Sequence, residues 1–180
     1  MQKTIEELLQ LLNGYNPATP VDARSKQMTM SFLASNDIVL GSGNPRGHLT
    51  GSVWIINTER TKVLLTHHRL LGKWLQLGGH TDEGEDIVSA ALREAREESG
   101  LEDLRLLSEQ IFDIDVHTIP ESMGKPEHLH YDIRFLAEGD DNKSLIISHE
   151  SRALKWVRLS DIKEYSTEES ILRMARKTIV

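Results

Sequence analysis

Glu94, Glu97 and Glu98 stand at i, i+3 and i+4 within the stretch GHTDEGEDIVSAALREAREESGL, residues 79–101. A helix advances by roughly 100° per residue, so this spacing sets the three carboxylates on one side. Val88, Ala91, Leu92 and Ala95 form a second, apolar side, so one side can pack against a core while the other holds acid in the open. Like charges at these spacings repel by about a few tenths of a kcal/mol per pair, and all three lie toward the negative end of the helix dipole. Arg93 and Arg96 offset part of that cost. A divalent cation offsets it more fully, because Mg²⁺ favours carboxylate oxygens and retains water for chemistry. A solvated helix face rich in Glu and Arg would carry the same letters, and the helix alone does not choose between the two.

The preceding loop extends the pattern. Gly79 is followed after five residues by Glu85, and after seven more by Arg93-Glu94-Ala95-Arg96-Glu97-Glu98-Ser99-Gly100-Leu101. This resembles the signature box of the Nudix hydrolase family, with every charged and glycine position filled at the family's spacing. Ala95 stands where a larger aliphatic residue is usual, and Leu77 where many members carry proline; neither departure removes a ligand. The resemblance implies that Glu94, Glu97 and Glu98 ligate metal, with the carbonyl of Gly78 or Gly79 available. It implies that Arg93 orients those carboxylates, and that Glu85 steadies the loop by pairing with Arg93 or as an acid at the helix N-terminus. The implied chemistry is Mg²⁺-dependent hydrolysis of a diphosphate linkage, with Mn²⁺ able to substitute, in a nucleoside diphosphate joined to another group. Glu97 or Glu98 ranks first as general base, and Glu121, Glu127 and Glu150 are candidates by availability alone.

These residues need elements to position them. Residues 4–13 place Ile5, Leu8, Leu9 and Leu12 at helical spacing before Asn13-Gly14. A second helix is expected over 21–35, with Met28, Phe32 and Leu33 as its buried contacts. Together these form an N-terminal helical extension, residues 1–47, ending in the loop 41–47 and preceding the main domain, 48–180. It packs on that domain or on a second subunit, or acts as a substrate-selecting lid. Residues 49–57 (LTGSVWIIN) and 62–67 (KVLLTH) read as a hairpin. A short strand, 74–77, feeds a Gly78-Gly79 turn, and one or two extended pieces are expected over 104–115. A loop is expected over 117–129, strands over 130–137 and 153–157, and a closing helix over 167–177 with Ile171, Leu172 and Ala175 inward. This order gives an α/β fold with a mixed sheet flanked by helices; the family resemblance makes it the Nudix α/β/α sandwich.

Composition bounds the rest. The 180 residues fit one globular domain with an appended segment. A net charge of -7 argues against a broad basic surface for a nucleic-acid polymer, but not against a small phosphate substrate. With no cysteine, the chain has no disulfide, thiolate metal site or cysteine nucleophile, and a reducing cytoplasm is its simplest home. The acidic, amphipathic start is not a secretory signal, and no apolar run is long enough to span a membrane.

Two further groups bear on substrate. His67, His68, Arg69 and Lys73 precede the glycine pair, and Arg69 and Lys73 could reach phosphate oxygens or form a solvated basic patch. In an extended Glu127-His128-Leu129-His130-Tyr131-Asp132, residues His128, His130 and Asp132 share one face. They could bind metal, contact substrate or form a His/Asp hydrogen-bond network. Tyr131, Trp54, Trp74 and Trp156 read as packing residues. HLTGSVWIIN, FDIDVHTIP and EHLHYDIRF look like a bacterial branch of the family, which extends the resemblance over most of residues 48–157. Isopentenyl-diphosphate isomerase looks similar around its metal site but depends on a cysteine absent here. A Nudix-like binding or sensor domain without hydrolysis is the non-enzymatic reading, and the intact box opposes it. Homodimerisation through the N-terminal helices is a further expectation.

Overall fold

The structure, a computed structural model, describes residues 2–36, 39–41, 43–82, 84–121 and 126–179, with side chains from residue 5 onward. Ser42 of the expected 41–47 loop and residues 122–125 of the expected 117–129 loop lie outside the described residues. Helices α1 (Gln2–Gly14) and α2 (Pro20–Ser35) precede β1 (Gly47–Asn57), β2 (Lys62–His68), β3 (Trp74–Leu75) and β4 (Leu77–His80). Helix α3 (Ile87–Ser99) leads to β5 (Arg105–Leu106), β6 (Asp113–Ile119), β7 (His128–Gly139) and β8 (Ser151–Arg158), and the chain closes with α4 (Ile162–Tyr165) and α5 (Glu169–Thr178).

One mixed eight-stranded sheet is organised around β1. β1 runs parallel to β7 from Gly47↔Leu129 to Asn57↔Gly139. On its other side it pairs antiparallel with β4 between Thr50 and Val53, and with β2 at Ile55 and Ile56. Every residue of β1 is buried, as expected of a central strand covered on both faces. Alternating side chains split the interior in two. Leu49, Val53 and Ile55 join Ile133 and Phe135 against α1, α2 and α3. Trp54 and Ile56 join Val63, Leu65 and Val157 against α4 and α5. The result is a mixed α/β sandwich with helices on both faces, as the order of elements predicts. No described helix is long and apolar enough to cross a membrane.

Several local expectations are corrected. Gly78 and Gly79 form no turn: they lie within β4, opposite Ser52 and Gly51 of β1, and the strand expected over 74–77 divides at Gln76. The loop expected over 117–129 is shorter, because β6 and β7 pair as far as Ile119↔His128; Pro120, which lacks a donor, follows the end of the ladder. In α2 the buried side carries Asp22, Ser25, Thr29 and Phe32, while Met28 and Leu33 are only partly buried. That polar stripe is explained by what it meets: Asp22 lies 2.7 Å from Arg173 and 2.9 Å from Lys177, both on α5. In α5, Ile171 and Ala175 face inward with Met174 and Arg173, and Leu172 is half-buried. Trp54 is fully buried, Trp74 and Trp156 pack against the two cores, and Tyr131 stacks on Phe32 at 4.1 Å.

Candidate active site

Helix α3 starts where Asp86 accepts the backbone N–H groups of Val88 and Ser89 at 3.1 and 2.9 Å, satisfying two of the orphan donors of the first turn. It buries Ile87, Ala90, Ala91 and Ala95 against the sheet. Three small alanines let the helix lie close, so Glu94 and Glu98 are held against β4 while Glu97 stays exposed.

Their environments differ, which corrects the expectation of three acids in the open. Glu98 is 5% exposed, and the Glu94 and Glu97 side chains are 19% and 61% exposed. Glu98 faces the sheet because it lies seven residues, about two turns, after Ala91. Its carboxylate accepts the Gly78 N–H at 2.8 Å. Burial pushes its pKa up to about 7, with that hydrogen bond opposing the rise and the charges of Glu150 and Glu94 adding to it. Glu94 is also raised by burial, with Arg93 opposing and Glu97 and Glu150 adding.

The glycine pair makes this closeness feasible. A β-carbon on Gly79 would sit 2.5 Å from a Glu94 carboxylate oxygen, and one on Gly78 would sit 2.5 Å from the backbone of Gly51 and Ser52. Glycine at 79 therefore leaves room for Glu94 beside β4, and glycine at 78 lets β4 lie close to β1.

Arg93 ties the loop to the helix. Its Nε and one terminal nitrogen donate to the two Glu85 oxygens at 3.0 and 2.9 Å, and the same terminal nitrogen donates to the His80 carbonyl at 3.0 Å. The other nitrogen reaches Glu94 at 2.8 Å and lies 3.5 Å from Glu97. Glu85 in turn accepts the Asp82 N–H at 3.1 Å, closing the acidic loop on itself.

Of the acids outside the box, Glu150 is the one whose charge adds to the raised pKa of both Glu94 and Glu98. Glu121 and Glu127 lie exposed between β6 and β7. Nothing in the sequence near Glu150 marks it; the β2–β8 pairing, with Ser151 opposite His68, delivers it. Arg69 and Lys73 are engaged elsewhere. Arg69 donates to the carbonyls of His149 and Ser151, each at 2.9 Å, and Lys73 pairs with Glu168 at 2.7 Å.

His128, His130 and Asp132 do share one side of β7, but they separate in use. Asp132 is buried and accepts from Thr50, Ser52, Gln76 and Arg134 at 3.0, 2.7, 2.9 and 2.7 Å. The two histidines join His48, His80 and His117, whose rings lie between 4.6 and 5.7 Å from one or more of their neighbours. Burial pushes His130 down to about 2, with the surrounding imidazoles adding.

The α3 side chains crowded beside β4 are carboxylates, and crowded carboxylate oxygens suit a hard divalent cation. Residues 48–176 match the family profile described as NUDIX domain. The chain is 34% identical over 103 residues, 56% of its length and 71% of the relative's, to the asymmetrical bis(5'-nucleosyl)-tetraphosphatase of Caenorhabditis elegans. It is 32% identical over 101 residues, covering 51% of this chain and 64% of the other, to an RNA pyrophosphohydrolase of Sphingopyxis alaskensis. A crystal structure of a C. elegans Ap4A hydrolase binary complex superposes with a TM-score of 0.57 at 25% identity, covering 72% of this chain and 93% of that one.

Proposed function

Because this chain belongs to the Nudix family and is a hydrolase of pyrophosphate bonds, we propose that it cleaves, with Mg²⁺, a diphosphate linkage in a small nucleoside-diphosphate derivative. Dinucleoside polyphosphates are the first class to test, on the strength of the similarity to the nematode tetraphosphatase. The observation that carries this reading is the convergence of Glu94 and Glu98 on the Gly78-Gly79 backbone, with Glu97 3.5 Å from the same Arg93 that holds Glu94.

Glu94, Glu97 and Glu98 would hold the cation, with the Gly79 carbonyl as a further oxygen. Bound there, it would neutralise phosphate oxygens and make a water more acidic. Arg93 fixes the carboxylates and ties Glu85 and the acidic loop to them. The backbone of β4 closes one wall, and the partly exposed Glu97 and Glu150 leave the other open to substrate. Glu150 lies on a different segment from the helix acids and takes the proton from the attacking water. The new P–O bond forms to that water oxygen, the bridging P–O bond breaks, and the leaving phosphate departs with the electron pair.

The test is a panel of dinucleoside polyphosphates, nucleotide sugars, nucleoside triphosphates, prenyl diphosphates and 5'-triphosphorylated RNA, each with and without Mg²⁺. Cleavage of a small nucleotide only with Mg²⁺, abolished in Glu98→Gln, is expected. Glu98→Gln turnover near wild type at saturating Mg²⁺ removes Glu98 from any essential role. Tight binding of one compound with cleavage of none replaces the enzyme by a binding domain.

A further inference from the structure

Besides the α3 carboxylates the molecule carries a second group of metal-ligating side chains. β1 and β7 are parallel neighbours with His48 opposite His130, and His128 lies two residues before His130 on the same side of β7. One nitrogen from each of His48, His128 and His130 falls within 4.8 Å of the others. His48 is buried, and His128 and His130 are half-buried. Among the described residues, Nε2 of His130 is buried without a hydrogen-bond partner, which is costly for a ring nitrogen unless something meets it.

One ligand and one adjacent ring are already oriented by acceptors behind them. Nδ1 of His128 lies 2.8 Å from the Pro126 carbonyl, so it carries the proton and Nε2 presents the lone pair. Nδ1 of His117 lies 3.1 Å from Asp115, and its ring sits 5.7 Å from that of His130. A carbonyl or carboxylate behind an imidazole is the usual arrangement behind metal-bound histidine, fixing its tautomer and orientation.

We propose that His48, His128 and His130 form a binding site for a zinc-like transition-metal ion, distinct from the carboxylate site on α3. The donors decide the class of ion. Imidazole suits Zn²⁺, Co²⁺ and Ni²⁺, whereas Mg²⁺ wants oxygen. Tetrahedral zinc with Zn–N bonds of about 2.1 Å holds its ligand nitrogens roughly 3.4 Å apart, so small side-chain rotations close the cluster on the ion. Three protein ligands leave a fourth position open, the pattern of sites that exchange water or bind a ligand. His80 joins this group to the box: its ring lies 4.7 Å from that of His48, and its carbonyl accepts from Arg93.

The experiment uses the full chain, stripped of metal and of any affinity tag, in Mg²⁺-containing buffer. Zn²⁺ affinity and stoichiometry are measured by chelator competition, and Co²⁺ supplies a visible absorption spectrum. The chain has no cysteine, so no thiolate contributes to that spectrum. One equivalent of tightly bound metal is expected. His128→Ala should weaken it by more than the roughly 10–100-fold that loss of an outer-shell partner costs, and Glu97→Gln should leave it unchanged. His128→Gln, which keeps bulk, gives the same readout if the alanine variant fails to fold. The proposal is overturned by absence of stoichiometric binding, by unchanged affinity in the His128 variants, or by equal loss in Glu97→Gln.

Discussion

Arg69 grips the backbone on both sides of Glu150. Its side chain donates to the carbonyls of His149 and Ser151, and its own N–H donates to the Glu150 carbonyl at 2.8 Å. The segment carrying Glu150, whose charge acts on Glu94 and Glu98, is thus pinned by one residue just past the end of β2. Arg69→Ala is expected to lower kcat by about a hundredfold, the scale of a small misplacement at a reacting centre, with a much smaller change in KM. Arg69→Lys, a point donor that cannot span two carbonyls, should rescue little. A rise in KM with unchanged kcat would return Arg69 to the role of phosphate contact.

Arg93 holds Glu85, Glu94 and the His80 carbonyl together. Glu85 first, then Glu94, keeps its guanidinium firmly charged against the opposing effect of burial. Arg93→Lys cannot reproduce the bidentate contact with Glu85. The concentration of Mg²⁺ giving half-maximal activity should rise by about 10–100-fold, as for loss of an outer-shell partner. Activity against a Mg²⁺ titration, wild type beside variant, reads this directly.

Metal-free protein should be less stable at high pH on account of Glu98. Its folded pKa, about 7, lies above the ordinary value of 4.5. The native state therefore keeps a proton that the unfolded chain has released. The contribution is full below pH 4.5 and is lost as pH rises through 7, on the order of 3 kcal/mol for a carboxyl this buried. Urea denaturation in a chelator at pH 5 and pH 8 should show the loss, and Glu98→Gln should flatten it. Identical pH slopes for the two proteins would contradict the assignment.

The box was legible because its spacing is set by local geometry: helix period, a capping aspartate and glycines that only a close approach requires. The burial of Glu98 was less legible, since whether a helix face is open depends on how near the sheet lies, and the alanines reveal that only once β4 is placed. Glu150 carries no local signal, for it arrives through pairing of β2 with β8, distant in sequence. The histidine group was half visible: His128 and His130 share a strand face by alternation, but His48, His80 and His117 come from three other strands. The buried polar layer was not legible: Asp113 and Arg134 meet across β6 and β7, and Asp22, which pairs with Arg173 and Lys177, lies in a helix that reads as apolar only at Met28, Phe32 and Leu33.

That layer fixes the N-terminal helices to the sheet. Arg173 lies 2.7 Å from both Asp22 and Asp113, and Lys177 lies 2.9 and 2.6 Å from the same two acids. Both aspartates are fully buried, so they were desolvated on folding and depend on these cations. Arg173→Met keeps much of the volume but leaves Lys177 as the cation shared by two buried carboxylates, with Arg134 reaching Asp113 at 3.3 Å. Destabilisation of about 3–5 kcal/mol is expected, the cost of breaking a buried ion pair from one side. Asp22→Asn combined with Arg173→Met should lose less than the sum of the single changes, because the pair shares one interaction. Urea denaturation of the four proteins closes this cycle, and strict additivity would show that Arg173 does not act through Asp22.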